Sequence, residues 1–284
     1  MDINAHTQFC GVIGNPVEHS LSPAIHNAAF QKLGLNFVYL AFRVEVIGDA
    51  IKGLRALGNF RGASVTIPHK VAAVPFLDTV ESTAGHIGAI NTIVAEGGRL
   101  AGYNTDATGA LRALREGGAD LVGRHVVMLG SGGAARAIAF ALGTEGRIDR
   151  LTLLGIDERE RQSLRQDLRA KSGLAVQDAA LDQEALRAVL PEAQILIHCT
   201  PMGMSPKMEG TAVPASLLHA GLTVMDIVYN PRETRLLRDA RAAGCRVIPG
   251  LEMFLHQAAA QFELWTGQAA PADVMRAVLE SRFS

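Results

Sequence analysis

The sequence predicts a two-domain α/β protein, and three observations carry that expectation. Through the first hundred residues short apolar runs alternate with helical patterns, a rhythm that favours parallel strands joined by right-handed crossovers. Beyond a Gly117-Gly118 break, a second series opens with a continuous apolar strand that runs straight into the glycine-rich bend Gly130-Ser131-Gly132-Gly133. The length of 284 residues is about two domains of chain.

In order, Phe9-Cys10-Gly11-Val12-Ile13-Gly14 reads as a buried strand closed by the turn Asn15-Pro16. Ser22-Pro23 opens a helix, with Ser22 as N-cap, Pro23 at the first helical position and Ile25, Ala28, Ala29 and Leu33 on one face. Gly34 ends it. A strand over 36–42, a helix over 46–58 and a strand over 62–67 stopped by Pro68 follow. A single helix is expected over about 72–84, then a strand pair, 89–95 and 99–102, joined at Gly97-Gly98. Asp106 caps a helix to about residue 115. The second series places strands at 124–129, 150–154, 195–199, 223–228 and 246–248, with a small-residue helix to Gly143 and a charged helix to Lys171. Helices over 250–265 and 271–282 close the chain. Expected domains are therefore 1–106, completed by the helices of 251–284, and 107–250.

Composition excludes several classes. Apolar residues make up 48% and charged ones 19%, which fits a full core and not a disordered chain. Lys and Arg (27) against Asp and Glu (28) leave a net charge of −1, so no nucleic-acid partner is expected. The basic stretch 159–171 interleaves Glu160 and Asp167 and reads as a solvated helix face. Cys10, Cys199 and Cys245 are far apart, form no CxxC pair and follow no signal peptide, which points to a reducing cytoplasm. Every uncharged stretch is shorter than about 18 residues, so no membrane span is expected. Nine scattered histidines without an HExxH motif or a Cys/His cluster give no expectation of a metal.

The glycine bend matches the skeleton of a phosphate-binding turn, with Gly130, Ser131, Gly132, Gly133, Ala134 and Ala135 in sequence. The first glycine permits the tight bend, the second lets backbone approach a pyrophosphate, and Ala135 is small for helix–strand packing. The match alone is weak. Here it follows a strand, opens a helix and meets an acid, Asp157, some twenty residues on, which is the context of a Rossmann-like dinucleotide-binding domain. A carboxylate after the second strand suits a ribose 2′-hydroxyl, whereas a 2′-phosphate wants an arginine. Asp157 thus leans to NAD(H), with NADP(H) open because Arg159 and Arg161 lie close by. The plainer reading makes Asp157 the N-cap of the next helix, and one residue could serve both purposes.

Polar groups gather where strands of the first domain end: Ser20 and Ser22, Ser64 to Lys70, Asn91 and Thr92, and Asn104 to Asp106. Each has a bland alternative as cap, turn residue or surface lysine. These same segments carry a resemblance. Gly14-Asn-Pro-Val-Glu-His-Ser-Leu-Ser-Pro23, Val65-Thr-Ile-Pro-His-Lys70, Gly88-Ala-Ile-Asn-Thr92 and Gly102-Tyr-Asn-Thr-Asp106 resemble signatures of the shikimate dehydrogenase family. So do Gly130-Ser-Gly-Gly-Ala-Ala-Arg136, Thr200-Pro-Met-Gly203, Asp226-Ile-Val-Tyr-Asn-Pro231 and Gly250-Leu-Glu-Met-Phe-Leu-His-Gln257, in family order over nearly the whole chain.

The resemblance implies reversible hydride transfer between NAD(P)(H) and a hydroxylated cyclohexene carboxylate, shikimate, as a step of aromatic amino acid biosynthesis. It implies Lys70 and Asp106 as the catalytic pair and Ser20 and Ser22 as holders of the substrate carboxylate. Thr66, Asn91, Tyr229 and Gln257 would contact the carboxylate or ring hydroxyls. The glycine bend, Thr200, Pro201, Met202, Ile227 and Gly250 would line the cofactor. The chemistry asks for such groups independently: reduction of a ketone creates an alkoxide, which needs a nearby cation and a proton, and a lysine ammonium supplies both.

Three positions depart from the family pattern. Gly155-Ile156-Asp157 replaces the usual Asn-Arg-Thr, which favours the NADP phosphate, although NADP(H) is the family default. Ser64 stands where Asn is usual, and His198-Cys199 replaces Asn-Ala. His198 reads as a hydrogen-bonded core histidine, or else as a neighbour of the nicotinamide. Rival functions are an NAD-preferring quinate/shikimate dehydrogenase and, in a different class, a catalytically silent metabolite-binding module. The expected partner is a small molecule, and a homodimer is left open.

Overall fold

The computed structural model describes residues 3–282, which divide into two compact units. One runs through Thr108 and resumes at Leu255; the other is Gly109–Phe254. The first unit holds β1 (Gln8–Gly14), α1 (Ser22–Lys32), β2 (Phe37–Arg43), α2 (Ile47–Arg55), β3 (Phe60–Val65), β4 (Thr79–Val80), α3 (Ser82–Ile87), β5 (Thr92–Glu96) and β6 (Arg99–Tyr103). Its sheet order is β2-β1-β3-β5-β6-β4. β1 lies parallel to β2 and β3, while β5 is antiparallel to β3 and β6, so the sheet is mixed. The reversal at β5–β6 is local in origin. Gly97 and Gly98 both take positive φ (56° and 79°), the conformation a two-residue hairpin loop demands.

The expected single helix over 72–84 is not formed. Pro75 has no N–H to give a helix, so the chain makes one 3-10 turn, Val74–Phe76, then β4 and α3. Asp78 fixes the break: its carboxylate accepts from Leu100 N and from Arg55, both at 2.6 Å. Ile13, Ile51, Phe60, Ile90 and Ile93 form one apolar layer of this unit. An aromatic group of Phe30, Tyr39, Phe262 and Trp265 surrounds His26 in the same unit. Gly62 is required there, because a Cβ would meet Ile93 O and Trp265 Nε1 at 2.3 Å.

The chain crosses to the second unit within α4 (Thr105–Glu116). There follow β7 (His125–Leu129), α5 (Gly133–Ala141), β8 (Arg150–Gly155), α6 (Glu158–Ser172), β9 (Ala175–Ala180), α7 (Gln183–Val189), β10 (Ile195–His198), β11 (Thr223–Asp226), α8 (Arg235–Ala242), β12 (Arg246–Pro249) and α9 (Gly250–Thr266). The chain returns to the first unit within α9, at Leu255, and α10 (Ala272–Glu280) belongs to that unit. The strands are all parallel, in order β12-β11-β10-β7-β8-β9. This is the doubly wound Rossmann order, whose switch point lies between β7 and β10. Both are buried along their full length, as continuous apolar strands should be.

Several elements here carry no sequence expectation. β9 is Ala-rich with polar interruptions, and α7 and α8 are short. Their caps are nonetheless readable: Asp182 accepts from Ala185 N and Thr234 from Leu237 N. Among the described residues no helix is long and apolar enough to cross a membrane, and no group of His, Cys, Asp and Glu is placed to hold a metal ion.

Candidate active site

The polar end of the first unit is built from the segments after β1, β3 and β6. Lys70 Nζ donates to Asp106 Oδ2 at 2.5 Å, with side chains 22% and 11% exposed. Asp106 sits in the first turn of α4, where orphan N–H groups and the helix dipole favour an anion. The helix begins one residue before it, and Asn104 Oδ1 accepts the Asp106 N–H at 3.2 Å. Asp106 is thus not the cap that the sequence suggested, and its carboxylate is left for Lys70 and Asn91.

Asn91 is wired on both sides of its amide. Its Nδ2 donates to Asp106 Oδ1 at 2.9 Å and to Thr105 Oγ1 at 3.0 Å. Its Oδ1 accepts from Thr105 N and from Thr92 Oγ1, both at 2.7 Å. The amide orientation is therefore fixed, with an N–H aimed at the carboxylate. Backbone links hold the segments in place: Ile90 N donates to Lys70 O, and Val65 N to Asn91 O.

Ser22 is not the N-cap of α1. That position is Leu21, which supplies no side-chain cap, and Ser22 is the first helical residue with Pro23 behind it. Ser20 does part of the cap's work: its Oγ accepts the Ser22 N–H at 3.3 Å. The buried Tyr39 phenol, whose pKa burial raises, lies 2.6 Å from Ser64 Oγ. Thr66 follows β3, its N–H donating to Ile13 O and its methyl lying against Gly14. Gln257 is buried on α9, one helical turn before Gln261. The structure thus joins Lys70, Asp106 and Asn91 directly and sets Ser20 beside Ser22. Tyr229 belongs to the second unit, stacked on Phe254 at 4.9 Å, with its phenol pKa raised by burial.

Gln261 and Tyr39 escape the sequence reading, whereas Ser64, Thr92 and Thr105 stand there among the polar groups at the strand ends without an assigned role. Gln261 has a signal in retrospect: a second glutamine four residues after Gln257, inside an apolar Ala-rich run, must be buried and bonded.

In the second unit the glycine bend lies at the switch point, after β7. Gly130 has φ 105°, and a Cβ there would come within 3.0 Å of Cys199 O. Gly132 is the N-cap of α5 without a side-chain cap, and a Cβ at Gly132 or Gly133 would meet nothing within 4 Å. Ala135 is fully buried. The arrangement fits a dinucleotide: an uncapped helix start faces a surface kept clear of side chains. Gly250 marks a different constraint, since a Cβ there would meet Ile227 C and O at 2.5 Å.

Asp157 is the N-cap of α6, its Oδ1 accepting from Glu160 N at 2.9 Å. Ser131 Oγ donates to Glu160 Oε2 at 3.1 Å, which brings that carboxylate to the bend. Arg161 is buried; it donates to Gly155 O and faces Asp178 at 3.5 Å. His198 is a core histidine. It is 2% exposed, with Nδ1 on Asp226 Oδ1 at 2.9 Å and Nε2 on Thr200 Oγ1 at 2.5 Å. Asp226 also accepts from Val228 N and Thr234 Oγ1. Thr200 in turn accepts the N–H of Met202, whose side chain is exposed past Pro201.

A Rossmann unit with a cleared glycine bend, together with a half-buried Lys–Asp pair in a mixed α/β unit, defines the class of NAD(P)-dependent oxidoreductases. Residues 12–93 match the family model described as shikimate dehydrogenase substrate binding domain, and residues 250–280 that of the shikimate 5′-dehydrogenase C-terminal domain. A shikimate dehydrogenase (NADP(+)) of Moorella thermoacetica is 47% identical over 281 residues, 98% of this chain and 95% of the relative. Shikimate 5-dehydrogenase from Listeria monocytogenes, solved with shikimate and NAD, superposes with a TM-score of 0.93 at 37% identity, covering 98% of both chains. Quinate dehydrogenase from Corynebacterium glutamicum, solved with NAD, gives 0.90 at 34% identity, over 97% of this chain and 99% of that one. The chain belongs to the shikimate dehydrogenase family.

Proposed function

We propose that the chain is an active dehydrogenase that interconverts shikimate and 3-dehydroshikimate, with Lys70 and Asp106 as its catalytic pair. The observation that carries this is the 2.5 Å Lys70–Asp106 contact, braced by Asn91. A bound nicotinamide gives or takes the hydride. The chain does the rest. In reduction the Lys70 ammonium stabilises charge developing on the carbonyl oxygen and delivers the proton; in oxidation the amine takes the proton from the hydroxyl. Asp106 holds Lys70 in line, and Asn91 holds Asp106. Ser20 and Ser22, at a helix start, seat the substrate carboxylate, with Thr66 and Gln257 contacting the carboxylate or ring hydroxyls. A silent binding module has no use for so closely held an ion pair.

The cofactor reading is NAD(H) over NADP(H). Asp157, Glu158 and Glu160 crowd the start of α6 with negative charge. The nearby Arg161 is turned inward to Gly155 O and Asp178, so it does not serve a 2′-phosphate. Thr200 to Met202, Ile227 and Gly250 line the nicotinamide side in this reading. A cytoplasmic setting accords with three free cysteines.

The test is kcat/KM for shikimate and for quinate, each with NAD and with NADP. Shikimate with NAD is expected to give the highest value. Preference for NADP overturns the cofactor reading, preference for quinate moves the substrate, and no turnover in any pairing refutes the function. A second expectation concerns the bend. Gly132→Val enters open space at a φ of −70°, so it should fold with unchanged Tm. Its side chain blocks the backbone approach to a pyrophosphate, so nucleotide KM should rise about ten-fold or more. An unchanged nucleotide KM places the dinucleotide elsewhere.

A further inference from the structure

A chain of buried hydrogen bonds runs through the first unit from Tyr39 to the Lys70–Asp106 pair, and Gln261 stands at its centre. Gln261 is 1% exposed. Its Nε2 donates to Asn91 O at 3.2 Å and Thr92 Oγ1 at 3.0 Å, and its Oε1 accepts from Ser64 Oγ at 2.8 Å. A backbone carbonyl can only accept, so the Asn91 carbonyl settles which end of the amide is which. Every later proton direction follows. Ser64 spends its hydrogen on Gln261 and therefore accepts from the Tyr39 hydroxyl, 2.6 Å away. On the other side Thr92 Oγ1 accepts from Gln261 and so passes its own hydrogen to Asn91 Oδ1. The Thr105 N–H donates to the same Oδ1, so Asn91 Nδ2 is left to donate to Asp106.

We propose that Gln261 is a positioning residue for the reaction: it pins the Asn91 carbonyl and the Thr92 hydroxyl, and so, together with the Thr105 N–H that fixes the amide orientation, holds the Asn91 N–H on Asp106 and the carboxylate in line with Lys70. It touches neither the pair nor the substrate seat and acts through Asn91 and Thr92 alone. Ser64 is what gives this protein a link from Gln261 to Tyr39. The hydroxyl is short enough to sit between phenol and amide and can both donate and accept. The inference rests on the reading of Lys70 and Asp106 as the catalytic pair.

The experiment compares Gln261→Leu, Thr92→Val and their double variant with the wild-type chain, reading kcat, both KM values, the pH profile of 3-dehydroshikimate reduction and Tm. Gln261→Leu should lower kcat about ten-fold at equal folded fraction while nucleotide KM stays within about two-fold. The pH profile of reduction should differ from that of the wild type, because the Lys70–Asp106 pair is no longer held in one geometry. Thr92→Val alone should lower kcat in the same way, and the double variant should be no worse than the worse single, since both cut one wire. Where Gln261→Leu fails to fold, Thr92→Val and Gln261→Glu carry the same readouts. The isosteric Glu sets an acceptor against the Asn91 carbonyl. A lowered Tm with kcat and profile unchanged makes Gln261 a core filler and overturns the proposal. Additive losses in the double variant overturn it as well. Lys70→Ala with normal turnover instead overturns the reading of the pair, whatever Gln261 does.

Discussion

Lys70→Ala is expected to lower kcat about 100-fold or more in both directions while the KM for shikimate stays within about three-fold. The split follows from where the charge appears. Bound substrate offers Lys70 a neutral oxygen, whereas the transition state offers it a developing alkoxide, so the ammonium is worth most at the top of the barrier. The loss is not a folding effect. Lys70 is partly exposed, and Asp106 keeps Asn91 and the first turn of α4 when the ammonium is gone. Steady-state rates with shikimate, alongside an unchanged Tm, check this. Near-wild-type turnover removes Lys70 from the proton path.

His26→Leu is expected to make the protein markedly more resistant to acid unfolding. His26 is fully buried, stacked on Tyr39 at a centroid distance of 4.6 Å, with neither ring nitrogen hydrogen-bonded. Burial lowers its pKa to about 3 from 6.5. Between those values the unfolded chain binds a proton that the folded chain does not. The His26 contribution is thus intact above pH 6.5 and is lost as the pH falls towards 3. The stability gap between variant and wild type should widen by about 1.4 kcal/mol for each pH unit below the ordinary histidine value. Denaturant midpoints at a series of acidic pH values measure it. Parallel stability curves would show that some other group sets acid unfolding.

Much of this architecture is legible in the chain because local signals agree with it. The apolar strand into Gly130, the Gly97-Gly98 hairpin and the parallel rhythm each have a single sensible structure. Where reading failed, a tertiary contact had overridden the pattern. Residues 72–84 look helical by apolar spacing, yet Pro75 and the Asp78 bonds to Leu100 and Arg55 divide them. Ser22 looks like a cap because it precedes a proline, but the helix already includes it, and Ser20 Oγ takes its N–H. Asp157 does act as the α6 cap, the plainer of its two readings. The residues of the site that bear motifs were legible; the residues that brace them were not. Gln261 carries no motif, and its importance arises from bonds spanning well over a hundred residues.

The most direct test of the account is the pH dependence of kcat for shikimate oxidation, taken under conditions where a deuterium isotope effect shows hydride transfer to be rate-limiting. Oxidation requires the Lys70 amine to begin without its proton, so the rate should climb with pH over some range above neutrality, and Lys70→Ala should lose that climb. A flat wild-type profile from about pH 6 to about 10 would contradict the assignment of Lys70 as the acid/base.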